Sequence, residues 1–333
     1  MAYETEDHET QYCFPGINSS CTKGKRSRHE YNVLYVFFSL LSALTVFLNL
    51  LVIISISHFK KLHTPTNLII LSLAVSDMLI GLIVIPIEAI KLIETCWYFR
   101  DTFCSLFVLI IGLVLQASLS SSVLIAIDRF VAVCHPLQYP QKISMTRMLI
   151  VICLCWFFSL AYNIAIAISF SHRADVCYGE CNIMITYEWR VNDLIFCFLF
   201  PCTVIITLYL RIFYVAQKQV KVINSLMKRG KCVMGGSVRR KSETKAALTL
   251  GINVAVHLLC WIPYYILTLS ENSAIPPTIL YCLVWVLYVN SCLNPLIYAL
   301  FYPWFRKSIK YILTFRIFQP ASSRVDIFTN HHS

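Results

Sequence analysis

Charge is scarce in this chain. Of its 333 residues only 14% are Asp, Glu, Lys or Arg, while 58% are hydrophobic. That balance excludes a disordered chain and argues against an ordinary soluble enzyme. Enzyme signatures are missing as well: neither HExxH nor GxSxG occurs, and no Asp or His pair clusters in a catalytic pattern. There is no repeat at solenoid spacing and no separate soluble domain. The repeated halves and broken helices that would suit a transporter are also lacking. The first 30 or so residues are polar, without the apolar core of a signal peptide.

What the chain has instead is long apolar runs, at about 31–58, 66–93, 102–134, 147–169, 188–216, 245–270 and 278–301. Each exceeds the ~20 residues that a helix needs to cross a bilayer. Backbone groups in lipid must be satisfied internally, so seven membrane-spanning helices are expected. Basic residues set the orientation. The loop after the fifth run carries Lys218, Lys221, Lys228, Arg229, Lys231, Arg239, Arg240, Lys241 and Lys245 against one acid, Glu243. Lys60 and Lys61 lie in the first loop, and Arg306, Lys307 and Lys310 follow the last run. These segments face the cytoplasm and the N-terminus faces outward, although four basic residues at 23–28 oppose that sense. The net charge of +11 is thus mainly a topology signal, and no nucleic-acid partner is expected.

Six cysteines, Cys13, Cys21, Cys96, Cys104, Cys177 and Cys181, fall in the outer segments, enough for three disulfides in an oxidising compartment. Zinc is the competing reading of Cys177 to Cys181, but no outer Cys and His at finger spacing complete a site. One glycosylation sequon, Asn18-Ser19-Ser20, lies in the outer tail.

Polar residues inside the runs are costly and therefore informative. Asn49, Asp77, Ser118, Asn290, Ser291 and Asn294 lie at compatible depths in four runs. A carboxylate ringed by hydroxyl and amide oxygens is either a cage for a hydrated sodium ion at Asp77 or a polar network that only joins helices. At the inner end of the third run, Asp128 and Arg129 form either an interfacial anchor or a switch, the latter through a cross-helix pair between Arg129 and Glu243. Pro201, Pro263 and Pro295 interrupt three runs, where kinks supply either pivots or static shape.

Several short motifs then occur in order: Asn49, "LSLAVSD" at 71–77, Cys104, "DRF" at 128–130, Trp156, Pro201, Tyr209, "CWIP" at 260–263 and "NPLIY" at 294–298. Over essentially its whole length the chain resembles a rhodopsin-class G-protein-coupled receptor. The "NSCLNPLIYALFYPWF" of 290–305, "CWYF" at 96–99 and "KAALTLGI" at 245–252 resemble the trace amine-associated receptors. The resemblance implies an all-α membrane protein: a seven-transmembrane helix bundle with a short amphipathic eighth helix at about 302–314. Its parts would be an extracellular tail (1–30), a receptor domain (31–314) and a cytoplasmic tail (315–333). The N-terminal tail, the Gly-Gly-Ser stretch at 235–237 and the chain after about 315 read as flexible. The resemblance further implies a Cys104–Cys181 bridge and suggests Cys13–Cys177, with Cys21–Cys96 as the remaining pair. It also places Asp128, Arg129, Tyr209, Glu243 and Tyr298 in the G-protein switch.

One departure from the family decides how the ligand is read. Amine receptors of this class usually carry an Asp seven residues after the bridging Cys of the third span; here that residue is Ile111, and no acid occurs from Ser105 to Ile127. Asp193 stands in its place, eight residues before Pro201, about 12 Å outward along a helix. This resembles a fish-expanded branch with an Asp in the fifth span. Either Asp193 awaits a ligand ammonium or it pairs with Arg190 three residues earlier. The resemblance gives Trp261, Tyr264, Tyr265, Trp285 and Tyr288 as the aromatic wall, with Ile111, Leu115 and Cys197 as an apolar floor. If Glu88 faces the same cavity, a diamine would bridge two carboxylates; otherwise it is solvated at the rim. Phe130, His257, Leu48 and Arg100 replace the usual Tyr, Phe, Gly and Gly.

The function implied is a plasma-membrane receptor for protonated amines, multi-pass and with an extracellular N-terminus. An olfactory role is expected, with signalling through a stimulatory or olfactory heterotrimeric G protein to raise cyclic AMP. Arrestin, receptor kinases and membrane lipid are the other expected partners, and no cofactor beyond an allosteric sodium ion. "RRKS" at 239–242 is either a kinase site at Ser242 or a solvated charge run. The rival expectations are a weakly active receptor for a non-amine small molecule and a seven-span transporter.

Overall fold

The computed structural model describes residues 11–169, 177–181, 186–228, 251–252, 255–266 and 277–327. Within them lie α1 (Arg28–His58), α2 (Pro65–Glu94), α3 (Asp101–Cys134) and α4 (Met145–Ser169). The fifth helix, α5, covers the span Tyr187–Gln219 and runs on to Lys228. Residues 251–252 and Ala255–Ile266 are the described parts of α6, followed by α7 (Pro277–Phe301) and the short α8 (Pro303–Leu313). Six of these helices are long and apolar enough to cross a membrane, and α6 supplies a seventh apolar helix. Among the described residues the only β pairing is two isolated bridges.

Similar hydropathies conceal different surroundings. The most apolar window of α2 is 61% buried against other helices, but that of α4 only 17%. The hydrophobicity of α4 therefore faces the lipid, where Phe157 and Phe158 are both exposed, whereas α2 sits inside the bundle. The inner half of the bundle is filled by Val52, Ile69, Leu73, Ile125, Tyr298 and Phe305.

Two helices contain a widened, π-helical turn, and each turn precedes a proline. Ile80–Val84 comes before Pro86 in α2, and Asp193–Leu199 before Pro201 in α5. Proline lacks the N–H that would close the preceding helical turn and its ring crowds the carbonyl four residues back, so the helix widens there. Each extra residue rotates the side chains outward of it by about 100°. In α5 this re-aims the turn that starts at Asp193.

The outer face is more ordered than a flexible tail. A capping box between Ser27 and Glu30 starts α1 at Arg28, earlier than expected from hydropathy. Before it, residues 12–22 form a hairpin, with the Cys13 amide donating to the Cys21 carbonyl at 2.8 Å. Its second arm pairs in parallel with the loop after α4, Ser20 against Tyr178, and the amide of Trp97 donates to the Gly179 carbonyl. Gly179 has φ +100°, and a Cβ there would lie 2.9 Å from the Phe14 ring, so only glycine fits. Lys23 reaches Glu94 at 2.7 Å, and that carboxylate raises the lysine's pKa. The Tyr35 hydroxyl donates to the other oxygen of Glu94.

This pairing corrects the expected disulfides. Cys104–Cys181 is present as expected, but the other two bridges are Cys13–Cys96 and Cys21–Cys177, not Cys13–Cys177 and Cys21–Cys96. The parallel bridge brings the Cys21 arm beside Cys177, with Cα atoms 5.0 Å apart. The antiparallel turn leaves Cys13 on the other arm, 5.7 Å from Cys96. Cys21, Cys177 and Glu180 lie close together, but the two cysteines are bonded to each other. Asn18 is exposed in the hairpin loop.

The inner tail is corrected too, because residues 315–327 fold back on the bundle. Ile327 is buried, Lys61 pairs with Asp326, and His58 bonds Ser322 at 3.0 Å. The α8 helix seats Trp304, Phe305 and Ser308 against the bundle, with Arg306 and Lys310 on its solvent side. The Gly-Gly-Ser stretch, Ser242 and Glu243 lie outside the described residues.

Candidate functional site

Asp193 opens the π-turn of α5 and is partly buried. Its Oδ2 accepts a hydrogen bond from the Tyr265 hydroxyl of α6 at 2.9 Å. Arg190 is turned away, with its guanidinium over the Tyr187 ring at 5.8 Å. Among the described residues no ion pair neutralises Asp193; the four present are Lys23–Glu94, Lys61–Asp326, Lys91–Glu88 and Arg129–Asp128. The backbone from Arg190 to Asp193 is still helical, with the Asp193 amide bonded to the Trp189 carbonyl, so the two side chains part because each follows its own partner, Tyr187 and Tyr265.

From Asp193 inward the rings are stepped. Tyr265 stacks on Phe198 at 4.3 Å and on Trp261 at 5.9 Å, and Trp261 lies 5.5 Å from His257. Tyr264 meets Tyr265 edge to face at 5.5 Å. Leu115 joins this group to the one holding Ile111, Tyr288 and Trp285. Trp285 is also committed elsewhere, since its ring covers Phe38 of α1 at 3.9 Å. Tyr288 is buried against Trp285.

Glu88 is a second carboxylate at this level, its side chain only 15% exposed and 3.8 Å from Lys91. Tyr264 is within electrostatic reach of both Asp193 and Glu88, and Tyr288 of Glu88. The two carboxylates therefore act on one aromatic wall.

Residues not foreseen complete the setting. Gln116 of α3 donates to the Cys197 sulfur at 3.5 Å and accepts from Asn163 of α4 at 3.0 Å. Asn163 fits because residue 112 is glycine: a Cβ there would lie 1.8 Å from its Oδ1. Tyr162 is within electrostatic reach of Asp193 and Cys197. Gln116 and Asn163 are polar residues inside apolar runs, the same signal that singled out Asp77.

Below the rings, His257 Nδ1 lies 2.9 Å from Asn290 Nδ2, so a neutral imidazole accepts from the amide. Asn294 donates to Asp77 Oδ2 at 2.6 Å and Ser118 to Oδ1 at 3.4 Å, with Ser291 also beside the carboxylate. Asn49 donates to the Ser291 carbonyl at 3.0 Å. Buried oxygens of Asn49 and Asn290 have no protein partner. One carboxylate with spare oxygen donors fits a small monovalent cation, whereas Asn294 presents its NH2 and so serves the carboxylate rather than a cation.

At the inner end, Arg129 pairs with Asp128 and also donates to Thr66. The Tyr139 hydroxyl bonds the other Asp128 oxygen at 2.9 Å. Burial, and then the adjacent Asp128, push the phenol of Tyr139 up to about 12. Tyr209 and Tyr302 lie within electrostatic reach of Arg129, while Tyr298 is fully buried in the inner core. The expected partner Glu243 lies outside the described residues.

Residues 48–298 match the family described as 7 transmembrane receptor (rhodopsin family). Trace amine-associated receptor 13c of Danio rerio is 39% identical over 331 residues, covering 96% of this chain and 97% of that protein. Two receptors of Rattus norvegicus are similarly related. Trace amine-associated receptor 9 is 38% identical, with 96% and 98% covered. Trace amine-associated receptor 8a is 39% identical, with 96% and 97% covered. The chain belongs to the trace amine-associated receptors. It is a multi-pass plasma-membrane receptor of the G-protein-coupled class, not an enzyme, and its class works with a small-molecule ligand and a G protein.

Proposed function

We propose that this receptor detects a protonated amine whose ammonium pairs with Asp193. The observation that carries this reading is the state of Asp193 itself: partly buried, held by one hydroxyl from Tyr265, and without an ion-pair partner among the described residues. A carboxylate at that depth is costly unless a cation offsets it. The names of the related proteins, trace amine-associated receptors, agree with this ligand class. The rings of Trp261, Tyr264, Tyr265 and Tyr288 receive the carbon skeleton and offer their faces to the cation. Ile111, Leu115 and Cys197 line the floor, and Trp285 shares the outer wall with Phe38. With Asp193 in α5 and no acid from Ser105 to Ile127 in α3, we place the receptor in the branch that reads amines from the fifth helix.

A second reading follows from Glu88. Its mostly buried carboxylate acts on the same Tyr264, so a diamine would place one ammonium at each acid, displacing Lys91 from Glu88.

Ligand contacts move the receptor only where they differ between its states. We assign that difference to the rings between Asp193 and His257, which lead to the His257–Asn290 bond and the Asp77 cage. Asp77, Ser118, Asn290 and Ser291 would hold a sodium ion in the resting state, with Asn294 orienting the carboxylate. Asp128, Arg129, Tyr209 and Tyr298, and Glu243 beyond the described residues, form the inner switch. The downstream reading is olfactory detection through a stimulatory or olfactory G protein and cyclic AMP, with arrestin and receptor kinases ending the signal and a glycan at Asn18. Cyclic AMP measured in cells expressing wild type or Asp193→Asn, across monoamines and diamines, tests it. A response to a non-amine but to no amine would replace the ligand class.

A further inference from the structure

A cleft of about 770 Å³ opens between the inner halves of α5 and α6. Ile205, Leu210 and Phe213 wall it on one side, Gly251, Ala255 and Leu258 on the other, and Lys221 lines its inner end. Ile205 and Ile212 are buried against Ala126 and Val133 of α3, whereas Leu210 and Phe213 are 65% and 53% exposed. The cleft therefore opens to the lipid and not into the amine site.

Its dimensions and charge select an occupant. From Ile205 to Lys221 the helix rises about 24 Å, enough to hold a chain across one leaflet's ~15 Å of hydrocarbon. Lys221 then stands at headgroup depth, exposed and without an acidic partner among the described residues, with Lys218 one turn earlier. Gly251 keeps the floor open: a Cβ there would lie 3.0 Å from the Tyr209 ring.

We propose that this cleft is a binding site for an anionic phospholipid of the inner leaflet, with one acyl chain along the α5–α6 seam and the headgroup on Lys221. The site is separate from the amine reading and does not depend on it. A basic residue near an anionic lipid surface is worth about a five-fold preference.

The full-length receptor is placed in phosphatidylcholine nanodiscs that carry traces of either phosphatidylserine or phosphatidylcholine with a photoreactive group in the acyl chain. Labelled peptides are then mapped by mass spectrometry, with α1 peptides as the internal standard. Phosphatidylserine is expected to label the peptides covering 205–221 and 251–258 about five-fold more than phosphatidylcholine. Lys221→Gln should bring the two to parity, and Ala255→Phe, which fills the cleft, should remove labelling there by both. Lys221→Gln lies on the surface, so the test stands if Ala255→Phe fails to fold. Equal labelling of the wild type by both lipids, an excess that survives Lys221→Gln, or displacement by soluble glycerophosphoserine would overturn the proposal.

Discussion

Replacing Asp193 by asparagine removes one charge and almost nothing else. The side chain keeps its shape, and its amide oxygen still accepts from the Tyr265 hydroxyl, so the α5–α6 contact at 2.9 Å survives. What is lost is the attraction to a ligand ammonium. A charge pair about 4 Å apart is worth ~4 kcal/mol at the effective dielectric of a partly exposed site. A charge-assisted hydrogen bond is worth about 1.5–3 kcal/mol net. The expected loss is therefore roughly 2–4 kcal/mol, or about 30- to 700-fold in the concentration giving half-maximal cyclic AMP. The assay is a dose–response curve in cells whose surface receptor is matched by an N-terminal epitope tag. A diamine held also by Glu88 should lose less potency than a monoamine of equal length. A half-maximal concentration for Asp193→Asn within three-fold of the wild type, at equal surface density, would refute the reasoning and leave Asp193 a structural group.

Other outcomes follow from neighbouring geometry. Gly112→Ala should destabilise the purified receptor by about 1–3 kcal/mol, because its Cβ collides with Asn163 and frees Gln116; the double variant Gly112→Ala with Asn163→Ala should recover part of the loss in a thermal unfolding assay. Non-reducing peptide mapping should recover Cys13 linked to Cys96 and Cys21 linked to Cys177; a Cys13–Cys177 peptide would contradict the hairpin pairing. Replacing sodium by choline should raise amine affinity in the wild type and leave it unchanged in Asp77→Asn, read by radioligand competition; equal responses would remove the cation from Asp77. His257→Phe breaks the bond between α6 and α7 worth about 1 kcal/mol, so basal cyclic AMP should rise up to about five-fold, checked without ligand.

Much of the bundle was legible because membrane helices obey few rules: run length gives the spans, basic residues give their sense, and polar residues mark the interior. Asp77, Asn290 and Asn294 were found in this way: all three are buried, Asn294 bonds Asp77, and Asn290 bonds His257. Cys104–Cys181 followed from the family resemblance, but the other two disulfides were not legible. Six cysteines allow fifteen pairings, and the choice rests on Ser20 lying beside Tyr178, a contact between segments distant in sequence. The tail after 315 looked flexible because its composition is mixed. Its order comes from single contacts, Lys61 with Asp326 and His58 with Ser322, that no periodicity announces. Asn163 escaped for a related reason: the space it fills is made by the missing Cβ of Gly112 on another helix.

The position of Asp193 shows how a local rule sets a distant contact. Read as a regular helix, the segment puts Arg190 and Asp193 on one face, and a self-neutralised pair is the rival to a ligand counterion. Pro201 cannot supply the N–H its turn requires, the helix widens from Asp193 to Leu199, and the outer turn that carries both Arg190 and Asp193 is re-aimed as a unit, which puts the carboxylate against Tyr265 while Arg190 rests on Tyr187. The same device recurs before Pro86 in α2, so both Asp193 and Glu88 are carried on helices that a proline has re-phased. Restoring the missing amide with Pro201→Ala should therefore let the turn tighten. Asp193 would then rotate away from Tyr265 with the rest of the outer turn and amine potency should fall, even though residue 201 lies about 12 Å from the carboxylate along the helix. Full potency in that variant would mean that packing against Tyr265 and Phe198, rather than the proline, holds the widened turn.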